Sequence, residues 1–83
     1  MKVAVKYFAS IREAIGQGGE AVETKAATCA ALRDELVARG GAYAQALARG
    51  KSVRIALDQV MVADNAELRE GCEVAFFPPV TGG

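Results

Sequence analysis

The sequence predicts an α+β fold: a mixed five-stranded sheet with one main helix across one face and an extended C-terminal tail. Three observations carry that expectation. Apolar residues alternate with a period of two near both ends of the chain, and one long amphipathic segment with helix-capping residues lies between them. The chain then closes on Phe76-Phe77-Pro78-Pro79-Val80-Thr81-Gly82-Gly83, an apolar strand running into a stiff proline pair and a glycine tip. At 83 residues there is room for one core, burying about 60–65% of the unfolded surface, and for one surface device. The expected division is a domain over 1–77 and a tail over 78–83.

The elements follow in order. Val3, Val5 and Tyr7 alternate with Ala4, Lys6 and Phe8, which predicts a strand. A helical turn from Ser10 to Ile15 follows, with Ser10 as N-cap and Glu13 three residues on in a capping-box pattern. Gly16-Gln17-Gly18-Gly19 lacks the lysine and the spacing of a phosphate loop and is expected to be a connection. Residues 20–25 predict a shorter strand, hairpin partner of the first. Thr28 can cap a helix through about Arg39 with Cys29, Leu32 and Leu36 on one face and Gly40-Gly41 as its stop; Arg33, Asp34, Glu35 and Arg39 are expected on a solvated face. A shorter helix around Tyr43, Ala46 and Leu47 should end at Gly50. Three strands follow, Val53 to Leu57, Gln59 to Ala63 and Glu73 to Phe77, with turns at Asp64-Asn65 and Glu70-Gly71. That order is an α+β roll of the ubiquitin-like, or β-grasp, kind.

Parity separates the two faces of the sheet. Val3, Val5, Tyr7, Val53, Ile55, Leu57, Val60, Val62, Val74 and Phe76 make a nearly all-apolar set for the helix to cover. The opposite set is Ala4, Lys6, Phe8, Arg54, Ala56, Gln59, Met61, Ala75 and Phe77. If Phe8, Met61 and Phe77 cluster there, a hydrophobic patch rimmed by Lys6 and Arg54 is a candidate protein-docking site.

Composition excludes much. Formal net charge is zero and no basic run occurs, which argues against nucleic acid or an anionic membrane as partner. Apolar runs fall short of the roughly 18 residues of a membrane span, and the N-terminus has no signal-peptide layout, so the expected compartment is the cytoplasm. There is no histidine, which excludes a His-based triad and argues against a structural zinc site. Cys29 and Cys72 lie far apart with no metal-ligand pattern and are expected to be buried reduced thiols. Cys29, at a helix start that could lower its pKa, is the alternative as a catalytic thiol.

The tail concentrates what chemistry remains. Gly82 and Gly83 carry no Cβ and can pass a channel too narrow for other residues, presenting an unhindered carboxyl. From Pro78 to Gly83 the tail spans at most about 20 Å. Pro78 and Pro79 favour the extended form, and Val80 and Thr81 offer side chains to a partner's pockets. The tail is therefore suited to insertion into a deep site on another subunit.

The terminal octapeptide, Gly71-Cys72-Glu73-Val74-Ala75 before it, Val5-Lys6-Tyr7-Phe8-Ala9 leading into Arg12-Glu13, and Leu57-Asp58-Gln59 together resemble the sulfur-carrier (small) subunits of molybdopterin synthase, the MoaD-like family. The resemblance implies that the Gly83 carboxylate is adenylated by a separate ATP-dependent activating enzyme and converted by a sulfur donor protein into a thiocarboxylate. The carrier would then dock on the large synthase subunit and give its sulfur to a cyclic pyranopterin monophosphate. It also implies that this chain binds no cofactor and is not an enzyme by itself, ATP being used by the activating enzyme. The alternatives are a thiamine-pathway sulfur carrier, a ubiquitin-like protein modifier, or a plain β-grasp binding module.

Overall fold

Strand alternation at the N-terminus, capping at Thr28 and the proline stop after Phe77 set the boundaries of the main elements. In a computed structural model, which describes residues 1–79, the chain runs β1 (Lys2–Tyr7), α1 (Ala9–Ile15), β2 (Gly19–Glu23), α2 (Cys29–Val37), α3 (Gly41–Leu47), β3 (Arg54–Leu57), β4 (Val60–Val62) and β5 (Glu73–Phe77). The five strands form one sheet in the order β2-β1-β5-β3-β4. β1 and β5 run parallel at its centre, and the other three pairings are antiparallel. This is the β-grasp arrangement that the sequence predicts.

Thr28 caps α2 as expected, its side chain accepting a hydrogen bond from Ala31 N at 3.2 Å. Cys29, Leu32 and Leu36 then share one core with Val3, Val5, Tyr7, Ile55, Val74 and Phe76. The Tyr7 and Phe76 rings stack at 6.3 Å beneath that helix layer. Burying one such aromatic side chain stabilises a domain by about 2–3 kcal/mol.

Several local expectations are corrected. Ser10 is not a helix cap: Phe8 holds the N-cap position with no side-chain bond, because its backbone stays tied to the sheet through Phe8 N donating to Phe76 O. Ala9 then turns the chain with φ +51°, a left-handed conformation that costs a non-glycine residue about 1–2 kcal/mol. Arg33 is not solvated. It is buried, and its guanidinium donates to the carbonyls of Leu47 at 2.6 Å, Ala48 at 2.7 Å and Lys51 at 2.9 Å. Leu47 ends α3, which stops there rather than at Gly50, and Ala48 and Lys51 belong to the turn that follows, so the arginine ties the helix end and that turn together.

Val60 is 63% exposed although parity assigns it to the covered face. It lies on the three-residue edge strand β4, outside the cover of the helices. Val53, Leu57 and Val62 are only half-buried for the same reason of position, packing at the margin of the core. No helix among the described residues is long and apolar enough to cross a membrane.

Candidate functional site

The root of the tail is where the candidate residues meet. β5 is a central strand, so its last residue, Phe77, leaves the sheet with neighbours on both sides. Register places Phe77 opposite Arg54, Ala75 between Lys6 and Ala56, and Ala56 opposite Met61. Paired residues in register point to the same face, so Lys6, Ala75, Ala56 and Met61 form one row across the open face. Phe77 and Arg54 form the next, and Phe8 joins it, its ring 5.4 Å from that of Phe77.

The three large apolar residues named from the sequence therefore do gather at one end of the open face. Phe8 is 44% and Met61 54% exposed, whereas Phe77 is half-buried. Met61, Phe77, Pro78 and Arg54 line a common hollow. Between them Ala56 and Ala75 are buried on this side as well, shaded by the longer side chains, and give the patch a flat floor.

On the other side of the proline pair lies a feature that the sequence did not announce. A groove of about 390 Å³ runs between α1, α3 and the 51–53 segment, lined by Ile11, Ala14, Ala46, Lys51 and Val53, with Pro78 and Pro79 as one wall. Its only sequence signal is a set of small residues, Ala14 and Ala46, on two helices whose packing together is not evident from spacing. Val80, Thr81, Gly82 and Gly83 lie outside the described residues.

The electrostatics divide sharply. At the margin of the covered face Glu20 accepts hydrogen bonds from Tyr7 OH at 2.8 Å, Tyr43 OH at 2.8 Å, Gln17 Nε2 at 3.1 Å and Arg39 Nη1 at 2.9 Å. Burial would raise its pKa, but the bonds from Arg39, Tyr43 and Tyr7 outweigh that and hold the carboxyl below the ordinary carboxylate range. Burial, and then the bond to Glu20, push the Tyr7 hydroxyl far up, so it stays a donor. Around the tail root, by contrast, Lys6, Lys51 and Arg54 are exposed and make no ion pair among the described residues.

Both cysteines are buried free thiols, as expected. Burial pushes the Cys29 thiol up, with the fields of Cys72 and Asp64 adding to it, so its place at a helix start does not activate it. Among the described residues no group of histidine, cysteine or carboxylate side chains is arranged to hold a metal ion.

Residues 5–83 match the model of the ThiS family. The chain is 41% identical over 81 residues to the molybdopterin synthase sulfur carrier subunit of Escherichia coli, covering 98% of this chain and 99% of that protein. Among solved structures it superposes on SAMP1 from Haloferax volcanii with a TM-score of 0.78 and 26% identity, each chain covered in full. It superposes with a TM-score of 0.69 and 25% identity, again over the whole of both chains, on a chain from the complex of subunits 1 and 2 of the molybdopterin-converting factor from Helicobacter pylori.

Proposed function

The chain belongs to the ThiS family, and from that premise we propose that it is the sulfur-carrying small subunit of a molybdopterin synthase. The observation that carries the proposal is the near-full-length identity to a sulfur carrier subunit, within a family match that runs through Gly82 and Gly83. The position of the tail root supports it: Phe77-Pro78-Pro79 leaves a rigid central strand beside an exposed apolar patch.

A terminal carboxylate has a pKa near 3.5, is ionised at neutral pH and is a poor electrophile. In the proposed cycle the Gly83 carboxylate attacks the α-phosphorus of ATP on an activating enzyme and pyrophosphate leaves. Hydrosulfide released by a donor protein attacks the acyl carbon, AMP leaves, the sulfur loses its proton, and a thiocarboxylate remains. That soft anion is a strong nucleophile for a cyclic pyranopterin monophosphate in the large subunit. The sulfur displaces a carbon-bound oxygen of that substrate, and hydrolysis of the resulting thioester leaves a thiol on the product and regenerates the Gly83 carboxylate. The domain contributes position: Phe8, Met61 and Phe77 seat the large subunit, Pro78 and Pro79 hold the tail extended, and Gly82 passes the constriction ahead of Gly83. The general acids and bases belong to the partner, and this chain acts as a reagent.

Deleting Gly82 and Gly83 tests this reading. The truncated chain is expected to fold and to bind the large subunit nearly as well as the full chain, while sulfur transfer is abolished. Unchanged transfer would overturn it. The likeness to SAMP1, a small archaeal modifier protein, favours one second reading, in which the activated Gly83 forms an isopeptide bond with a lysine of another protein. Conjugates formed in place of a thiocarboxylate would identify that outcome.

A further inference from the structure

Charges of both signs stand at each end of the open face, but the cations nearest the tail are exposed and without an ion pair among the described residues, in a chain whose formal net charge is zero. Glu23, Glu70, Glu73 and Asp58 lie at the end where β1 and β5 begin. There the acids are engaged in part: the Glu70 carboxylate accepts from Lys2 N, Asp58 Oδ1 accepts from Glu73 N, and Glu23 faces the N-terminal ammonium at 3.8 Å. At the tail end cations stand beside the emerging chain. Lys6 and Arg54 stand on the strands either side of β5, bracketing Ala75 and Phe77. The Lys6 stem lies over Gly19 of β2, its Cδ 3.7 Å from where a Cβ would sit, and the residue is exposed. Lys51 lines the groove on the far side of the proline pair, and Pro78 is a wall common to that groove and to the hollow carrying Arg54. The tail thus leaves the domain between Lys51 on one side and Arg54 on the other. Arg12 and Glu13 on α1 line a neighbouring hollow together, and their charges offset.

We propose that Lys6, Lys51 and Arg54 form a positive collar around the tail root that selects a large-subunit face in which the apolar seat is bordered by carboxylates. The inference rests on the docking role given above to Phe8, Met61 and Phe77, and it adds the chemistry of the partner. Asp64 shares a hollow with Arg54, but none of the three exposed cations makes an ion pair among the described residues, and at an interface rim such charges act mainly on the rate and selectivity of association. The aromatic patch supplies contact area, and the collar decides which apolar seat is entered and in which orientation.

The test measures binding of the full chain to the cognate large subunit at about 50 mM and about 500 mM salt, a range over which rim electrostatics are largely screened. Four variants accompany the wild type: Lys6→Gln/Lys51→Gln/Arg54→Gln, the far-end control Lys2→Gln/Lys25→Gln/Arg69→Gln, Phe8→Asp, and Phe8→Asp combined with the collar triple. The collar side chains are exposed and make no side-chain hydrogen bond among the described residues, and the Lys51 carbonyl that holds Arg33 is untouched, so unchanged melting temperatures are expected. The collar triple is expected to weaken binding roughly tenfold at low salt through slower association, with the difference closing at high salt. The far-end triple, equal in charge change, should stay within about twofold. Equal effects of the two triples, no effect of the collar triple, or tighter binding by it would each overturn the collar. Undiminished binding by Phe8→Asp would overturn the docking role itself, whatever the triples do.

Discussion

The two faces of this one sheet are built from the same period-two strands and put to opposite uses. On the covered face the apolar residues are sealed under α1, α2 and α3 except toward the β4 edge, and the polar groups at its margin satisfy one another: Glu20 alone takes donors from Tyr7, Tyr43, Gln17 and Arg39. On the open face the apolar residues Phe8 and Met61 stay in solvent, and Lys6 and Arg54 have no ionic partner among the described residues. Completed interactions stabilise the domain. Incomplete ones are available to something else, and they gather at the end from which the tail departs.

The adjacent phenylalanines of β5 give the sharpest way to break that contrast. Phe76 is fully buried and stacks on Tyr7, so Phe76→Ala is expected to cost about 3–5 kcal/mol in urea unfolding. Phe77, one residue on, faces the other side, and Phe77→Ala should cost under about 1.5 kcal/mol while weakening the complex with the large subunit. Similar losses of stability at the two positions would contradict a division of labour between the faces.

A smaller effect is expected at Glu20. Glu20→Gln keeps the shape but replaces a charge-assisted acceptor, at a cost of about 1–2 kcal/mol at neutral pH. The pH dependence supplies the sign. Because the folded protein holds this carboxyl below its ordinary range, its contribution is complete above the unfolded pKa and is lost as pH falls through the lowered folded value. The stability gap between wild type and Glu20→Gln should therefore close as the solution is acidified below the ordinary carboxylate range. A gap that persists there would show that the network does not depend on the charge.

The smallest effect sharpens the boundary between the faces. Ala9 turns the chain away from Phe8 with φ +51°. Ala9→Gly is expected to raise stability by up to about 1 kcal/mol, since glycine enters this conformation without steric cost, while leaving complex formation within about twofold. A destabilised Ala9→Gly would mean that the alanine methyl makes a contact worth more than the strain.

These regions differed in how legible they were from sequence. The strand–helix order, the Thr28 cap, the Glu73–Phe77 strand and the placing of Phe8, Met61 and Phe77 on one face followed from alternation, capping and parity, which are local signals; that the three gather at one end depends on strand order and register. Arg33 was misplaced because it sits next to acidic neighbours on a helix and nothing local reveals that the carbonyls of Leu47, Ala48 and Lys51 come within its reach. Val60 was misplaced because parity assigns a face but not an edge position. Ser10 lost its cap to a tertiary hydrogen bond between Phe8 and Phe76. The groove beside Pro78 and Pro79, and the placing of Lys51 opposite Arg54 across the tail root, arise from packing between segments distant in sequence and had no local signature.

If the domain positions and the tail reacts, the decisive measurement is the intact mass of the chain after incubation with ATP, a cognate activating enzyme and a sulfur source. The expected result is a gain corresponding to one oxygen replaced by sulfur, localised by fragmentation to Gly83. An unchanged mass, with the activating enzyme shown to be competent on another carrier, would contradict the assignment of this chain as a sulfur carrier.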